Sequence, residues 1–103
     1  MVEHLIVFNA EASREEVWRM AEEAKEVLLR IPGVVGLRFG EALLPGARYR
    51  YFISVLFSGP EVVERYRDHP LHVAFADRVF RPMAKDRLTT DYQVVLEVPP
   101  CGR

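Results

Sequence analysis

The sequence predicts one α+β domain with the segment order β-α-β-β-α-β. Three observations carry that prediction. Strand-period and helix-period stretches alternate along the chain, breakers stand at Pro32-Gly33, Pro45-Gly46, Pro60 and Pro70, and 103 residues leave room for a single core. Residues 1–98 are expected to form the domain and 99–103 a short C-terminal tail.

The first strand is Val2 to Asn9, with Val2, His4, Ile6 and Phe8 on one face and Leu5 and Val7 on the other. Both faces are largely apolar. Ser13 followed by Glu16 is a capping box, and it starts a helix whose apolar stripe is Val17, Met20, Ala21, Ala24, Val27, Leu28 and Ile31. Pro32-Gly33 ends it. Val34 to Leu43 reads as a second strand in which Gly36 and Gly40 mark a bulge or a close backbone approach. After the Pro45-Gly46 turn, the third strand aligns Tyr49, Tyr51, Ile53, Val55 and Phe57 on one face. Ser58-Gly59-Pro60-Glu61 predicts a capped helix from about residue 60. Pro70 breaks that helix, which resumes near Leu71 and buries Phe75, Ala76, Val79, Phe80 and Met83. Thr89 to Val98 reads as the last strand, with Tyr92, Val94, Leu96 and Val98 opposite Gln93, Val95 and Glu97.

Two βαβ-type halves of this kind form a ferredoxin-like subunit, a four-stranded antiparallel sheet with both helices on one face. The other face is left bare. Because the first and third strands are apolar on both sides, a second copy of the chain is the simplest cover, which predicts a homodimer.

Composition points to no charged partner. A formal charge of -1, from 14 basic and 15 acidic side chains, gives no long-range attraction to nucleic acid or anionic lipid. No stretch has the length of a membrane span or the form of a signal peptide, so the expectation is a cytoplasmic protein without nucleic-acid or membrane partners. Arg48 and Arg50 alternate with Tyr49 and Tyr51, but strand alternation puts the arginines opposite the tyrosines and argues against a joint nucleic-acid groove. Cys101, the single cysteine, lies in the predicted tail and can form no internal disulfide.

Chemistry is concentrated in Tyr66-Arg67-Asp68-His69-Pro70-Leu71-His72, which places a phenol and two of the three histidines around a helix break. His4 stands on an apolar strand face, and Asp91 opens the last strand beside Tyr92. An imidazole can take a proton near neutral pH, a carboxylate can orient it, and a phenol can donate to a developing oxyanion. His72, Asp91 and Tyr66 fit those roles if the fold brings the last strand beside the second helical region. The same residues also fit a packing role, with His69-Pro70 as a helix stop, His4 as a hydrogen-bonded core histidine and Tyr66 as a lid. His69 and His72 are spaced three apart, but Pro70 disrupts the helix such a pair would need, so no side-chain metal site is expected. No phosphate loop, GxSxG elbow or CxxC pair is present.

Taken together, His4-Leu5-Ile6-Val7, Ile31-Pro32-Gly33-Val34, Phe39-Gly40, the strand ending at Phe57, the Tyr66 to His72 segment and Asp91-Tyr92 resemble the stress-responsive α/β barrel (Dabb) family over about residues 2 to 97. The resemblance implies a ferredoxin-like subunit forming a dimeric α+β barrel. It also implies no resident cofactor, since a plant polyketide cyclase of that family closes its substrate without one. By that resemblance Tyr66 and His72 match the catalytic tyrosine and histidine, and Asp91 matches the carboxylate that orients the histidine. His4 and His69 match as well, whereas Tyr51 replaces a cavity histidine and Ala24 a pocket tyrosine. The implied function is a homodimer that binds a small apolar or carbonyl-containing molecule, with His4, Tyr51 and His69 as substrate-binding residues and cofactor-free proton transfer or cyclisation as the chemistry. Two alternatives stand beside it, a non-catalytic stress or assembly protein and a dimeric-barrel monooxygenase-like or haem-handling enzyme.

Overall fold

The computed structural model describes residues 1–99, so Cys101 and most of the predicted tail lie outside the described residues. The strands are β1 (Val2–Asn9), β2 (Val34–Glu41), β3 (Tyr51–Phe57) and β4 (Asp86–Gln93). The helices are α1 (Arg14–Leu28), α2 (Val62–Asp68) and α3 (Pro70–Phe75); a π-helical turn (Ala76–Phe80) and a last helical turn (Arg81–Met83) then lead into β4. The sheet order is β2-β3-β1-β4 with every neighbour antiparallel. This is the ferredoxin-like arrangement expected.

Alternation along the two central strands builds the core. Phe8, Ile53, Val55 and Phe57 are buried under Val17, Met20, Ala24 and Leu28 of α1 and under Val62, Tyr66, Phe75 and Phe80 of the second helical region. The capping box forms as predicted: Ser13 Oγ accepts from Glu16 N–H at 3.2 Å, and Glu16 Oε1 accepts from Ser13 N–H at 2.9 Å.

Several boundaries differ from those read in the sequence. The β2/β3 pair reaches only Glu41 and Tyr51, and beyond it Arg50 donates to the Leu44 and Ala42 carbonyls at 2.6 and 3.0 Å and shapes a compact loop instead. Helix α2 begins at Val62 with Glu61 as an N-cap that makes no side-chain bond, so Ser58 does not cap it. The largest shift is in β4, which starts at Asp86 and ends at Gln93 rather than running from Thr89 to Val98. Its start is fixed by Asn9, whose amide donates to Asp86 at 2.9 Å and to the Arg48 carbonyl at 3.0 Å, while both Asp86 oxygens accept from the Arg48 guanidinium at 2.9 and 3.1 Å. At its end Gln93 pairs with Val2, and Val94 N–H donates to the Met1 carbonyl at 2.9 Å.

Gly36 sits at the register shift between β2 and β3, and Gly40 lets the Phe52 ring lie where a Cβ would stand, as the two strand glycines had suggested. Gly33 is the more demanding position, with φ +93° and a Cβ site 2.5 Å from Val62 Cγ2. Gly33→Ala therefore meets backbone strain and a clash with a stiff β-branched side chain at the start of α2. We expect a loss of about 2 to 4 kcal/mol, read as a fall of roughly 10 to 20 °C in melting temperature by circular dichroism. Gly46→Ala, with nothing within 4 Å, is the matched control and should change little.

Candidate functional site

Strand β4 brings a polar column to the core side of the sheet. Its residues Arg87, Thr89 and Asp91 point to the helix side of the sheet, where β1 and β3 present core residues. That column is polar, so the helices cannot close on it as they do on Ile53 and Val55. The result is a cavity of about 260 Å³ at the β1/β4 side of the domain. Its walls come from His4 and Ile6 of β1, the β4 column, Tyr66 and Arg67 of α2, His72 of α3, and Ala76, Phe80 and Arg81 beyond it. The π-helical turn contributes Ala76 and Phe80. Wider turns of this type recur at functional sites because they displace side chains from regular helical positions.

His4 and Asp91 are directly opposed across the β1/β4 pair, and His4 Nδ1 lies 2.5 Å from Asp91 Oδ1. Opposed residues share a face about 5 Å apart, so this bond follows from register alone. His4 also stacks on Phe57 at 5.7 Å and meets Tyr66 at 5.4 Å. The Tyr66 ring is next to that of His72 at 4.3 Å, so the phenol stands between the two imidazoles.

His72 is held differently. Its Nδ1 lies 3.0 Å from the Arg67 carbonyl, across the helix break. A carbonyl only accepts, so Nδ1 carries the proton and Nε2 keeps its lone pair. Burial lowers the His72 pKa from its ordinary 6.5, opposed by the Arg67 carbonyl and helped by the nearby His4 and Arg81. At neutral pH, His72 is thus a neutral base with one free nitrogen. Burial, reinforced by the Asp91 carboxylate, raises the Tyr66 phenol well above its ordinary 10.0, so it stays a proton donor. Tyr66 is only 3% exposed, yet no occluded side-chain polar atom among the described residues lacks a partner. Tyr66 lines the cavity, so its hydroxyl opens onto it.

Of the site residues expected from sequence, His4, Tyr66, His72 and Asp91 come together at the cavity, and two do not. His69 caps α3, accepting at Nδ1 from Leu71 N–H at 3.1 Å, which makes it the hinge of the Pro70 break. Tyr51 stacks between Phe8 and Phe39 at 5.5 and 6.0 Å, on the far side of Phe8 from Arg87 and the cavity. The role assigned to Asp91 is also corrected. It orients His4, its cross-strand partner, while a backbone carbonyl orients His72. Arg87 lies before the strand start expected at Thr89, and Thr89 lies inside that strand on the face of Asp91; the polar alternation Arg87, Thr89, Asp91 is the signal in the sequence.

Among the described residues, no group of three or more His, Cys, Asp or Glu side chains is set to hold a metal ion, and no helix is long and apolar enough to cross a membrane. Among proteins of curated function, none is a significant match. Solved structures are similar throughout their length. A Dabb family protein with a ferredoxin-like fold from Mesorhizobium loti is 29% identical, with 91% of this chain and 96% of that one covered and a TM-score of 0.80. A dimeric ferredoxin-like protein of unknown function from Thermobifida fusca is 23% identical over 90% of each chain, with a TM-score of 0.75. A hydroxynitrile lyase from Passiflora edulis is 15% identical over 95% of this chain and 96% of its own, with a TM-score of 0.79, a likeness of fold alone. The stress responsive A/B barrel domain model matches residues 2–94, nearly the whole described chain, and the protein belongs to that family.

Proposed function

We propose that the protein is a homodimer that binds a small carbonyl compound in the cavity beside β4 and moves a proton at the carbon next to its carbonyl, without a cofactor. The observation that carries this reading is the His72 geometry: Nδ1–H is committed to the Arg67 carbonyl, and Nε2 is left as an acceptor in a cavity that also holds a protonated phenol. In the step, Nε2 takes the proton from the α-carbon and the C–H bonding pair moves into the carbonyl, leaving an enolate. The Tyr66 hydroxyl donates to the enolate oxygen. Dimer formation is supported by the bare second sheet face and by similar structures described as dimeric.

The test is exchange of the methyl protons of acetophenone in D2O, followed by NMR. The rate per protein should exceed that of the same concentration of free imidazole and should disappear in His72→Asn. An equal rate for protein and imidazole sinks the proposal.

Its pH dependence has a definite sign. The base is active when His72 is neutral, so the rate should rise with pH, reach half its plateau below 6.5 and stay flat through neutrality. The same shift affects stability. His72 binds a proton more readily in the unfolded chain, so its contribution is complete above 6.5 and is lost as pH falls through the lower folded value. Half-activation above 6.5 would show that burial does not govern this imidazole.

A further inference from the structure

Among the described residues, Arg87 is the one cavity-lining arginine without a carboxylate partner. Arg67 pairs with Asp68 at 3.2 Å and Arg81 with Asp77 at 2.6 Å, while Asp91 is hydrogen-bonded to His4 at 2.5 Å. Among the described residues no carboxylate pairs with Arg87; its only side-chain bond is from Nη1 to the Ala84 carbonyl at 2.8 Å. The guanidinium is also partly buried, being held on the inner side of β4 opposite Phe8. A cation with reduced access to water and no counter-charge is costly unless a ligand supplies one. The bond to Ala84 fixes the group while leaving further N–H donors of its planar fork free.

Thr89 follows Arg87 on the same face and Asp91 follows Thr89, so the column runs from a cation through a hydroxyl to the Asp91–His4 pair. Building on the proton-transfer reading for the carbonyl end, we propose that the natural ligand is a keto acid whose carboxylate is held by Arg87 and Thr89 while its ketone lies toward Tyr66 and His72. A carboxylate fits better than a phosphate group, because one positive charge is unmatched and a phosphate monoester carries close to two negative charges. The cavity volume of about 260 Å³ sits just below the range typical of organic-ligand sites, which favours a compact acid.

Titration calorimetry with 4-oxo-4-phenylbutanoate and its methyl ester tests this. The two probes share the ketone and ring and differ in charge. The acid should bind the wild type at least about tenfold more tightly, the scale of a charge-assisted hydrogen bond. Arg87→Met should abolish that preference and Arg87→Lys, which can still donate to the Ala84 carbonyl, should keep part of it. Equal affinities on the wild type, including no binding of either, would overturn the proposal, and so would a preference that survives Arg87→Met. Inorganic phosphate displacing the acid more readily than acetate would also overturn it, in favour of phosphorylated ligands. Deuterium exchange of the methylene next to the ketone, measured in the same samples, separates the two readings. Acid preference without exchange keeps the anion contact and removes the base, whereas exchange of both probes without acid preference does the converse.

Discussion

His72→Asn is expected to abolish proton exchange while leaving the fold nearly unchanged. The asparagine side-chain nitrogen, like Nδ1, is bonded to Cγ, so it can still donate to the Arg67 carbonyl that His72 reaches at 3.0 Å. What disappears is the basic Nε2. Loss of a positioned general base costs about 10² to 10⁴ in rate, and the melting temperature should move by only a few degrees, roughly the scale of a sub-kcal/mol change in a domain this size. Asp91→Asn should be much milder, since it weakens the anchor of His4 and leaves the His72 bond intact. Tyr66→Phe keeps the ring between the imidazoles and removes only the donor, so its effect should fall between the two. The packing alternative makes the opposite forecast. If these side chains only fill the core, Tyr66→Phe and His72→Asn should change stability and leave ligand affinity and exchange at wild-type values.

How far the site could be read from sequence depends on the distance over which each contact is specified. His72 and Tyr66 were legible because they lie in one short segment around Pro70, where the helix break is a local signal. The capping of α3 by His69 is equally local and agrees with the helix stop read at His69-Pro70; the ligand role for His69 comes from the family resemblance alone. The Asp91–His4 bond spans 87 positions and depends on the register of β4 against β1. No tight turn joins those strands, so nothing local sets that register; the Asn9 tie to Asp86 sets it, and this becomes visible only once the two strands are side by side. The apolar alternation of Val94, Leu96 and Val98 pulled the predicted strand toward the C-terminus. Those side chains follow the end of the ladder, where Leu96 and Val98 are 84% and 78% exposed. The core was easier, since Phe8, Ile53, Val55 and Phe57 obey simple two-residue alternation in the two central strands.

That exposed apolar surface leads to the second large effect, on assembly. The side of the sheet away from the helices carries Leu5, Val7, Phe52 and Leu56 on the central strands, with Leu88 and Tyr92 beside them on β4. Leu88 is 59% exposed and Tyr92 51% exposed in the subunit. The same face contains a polar group, Ser54 Oγ donating to Glu3 at 2.6 Å and Arg38 to the same carboxylate oxygen at 2.5 Å. Ser54 is fully buried within the subunit and Glu3 is already satisfied, so covering the face would leave neither group without a partner. Sedimentation at micromolar concentration should therefore give about twice the subunit mass of 11.9 kDa. Leu88→Asp should shift the protein to the monomer. The leucine is already half in water in the subunit, so the substitution costs the monomer little, whereas a carboxylate trapped in an apolar interface costs several kcal/mol, or roughly a hundredfold or more in dimer affinity. Leu29→Asp, which puts the same charge at the end of α1 on the helix side, should remain dimeric. A wild type that sediments at 11.9 kDa, or a Leu88→Asp variant that stays at twice that mass, would leave the bare sheet face without its proposed cover.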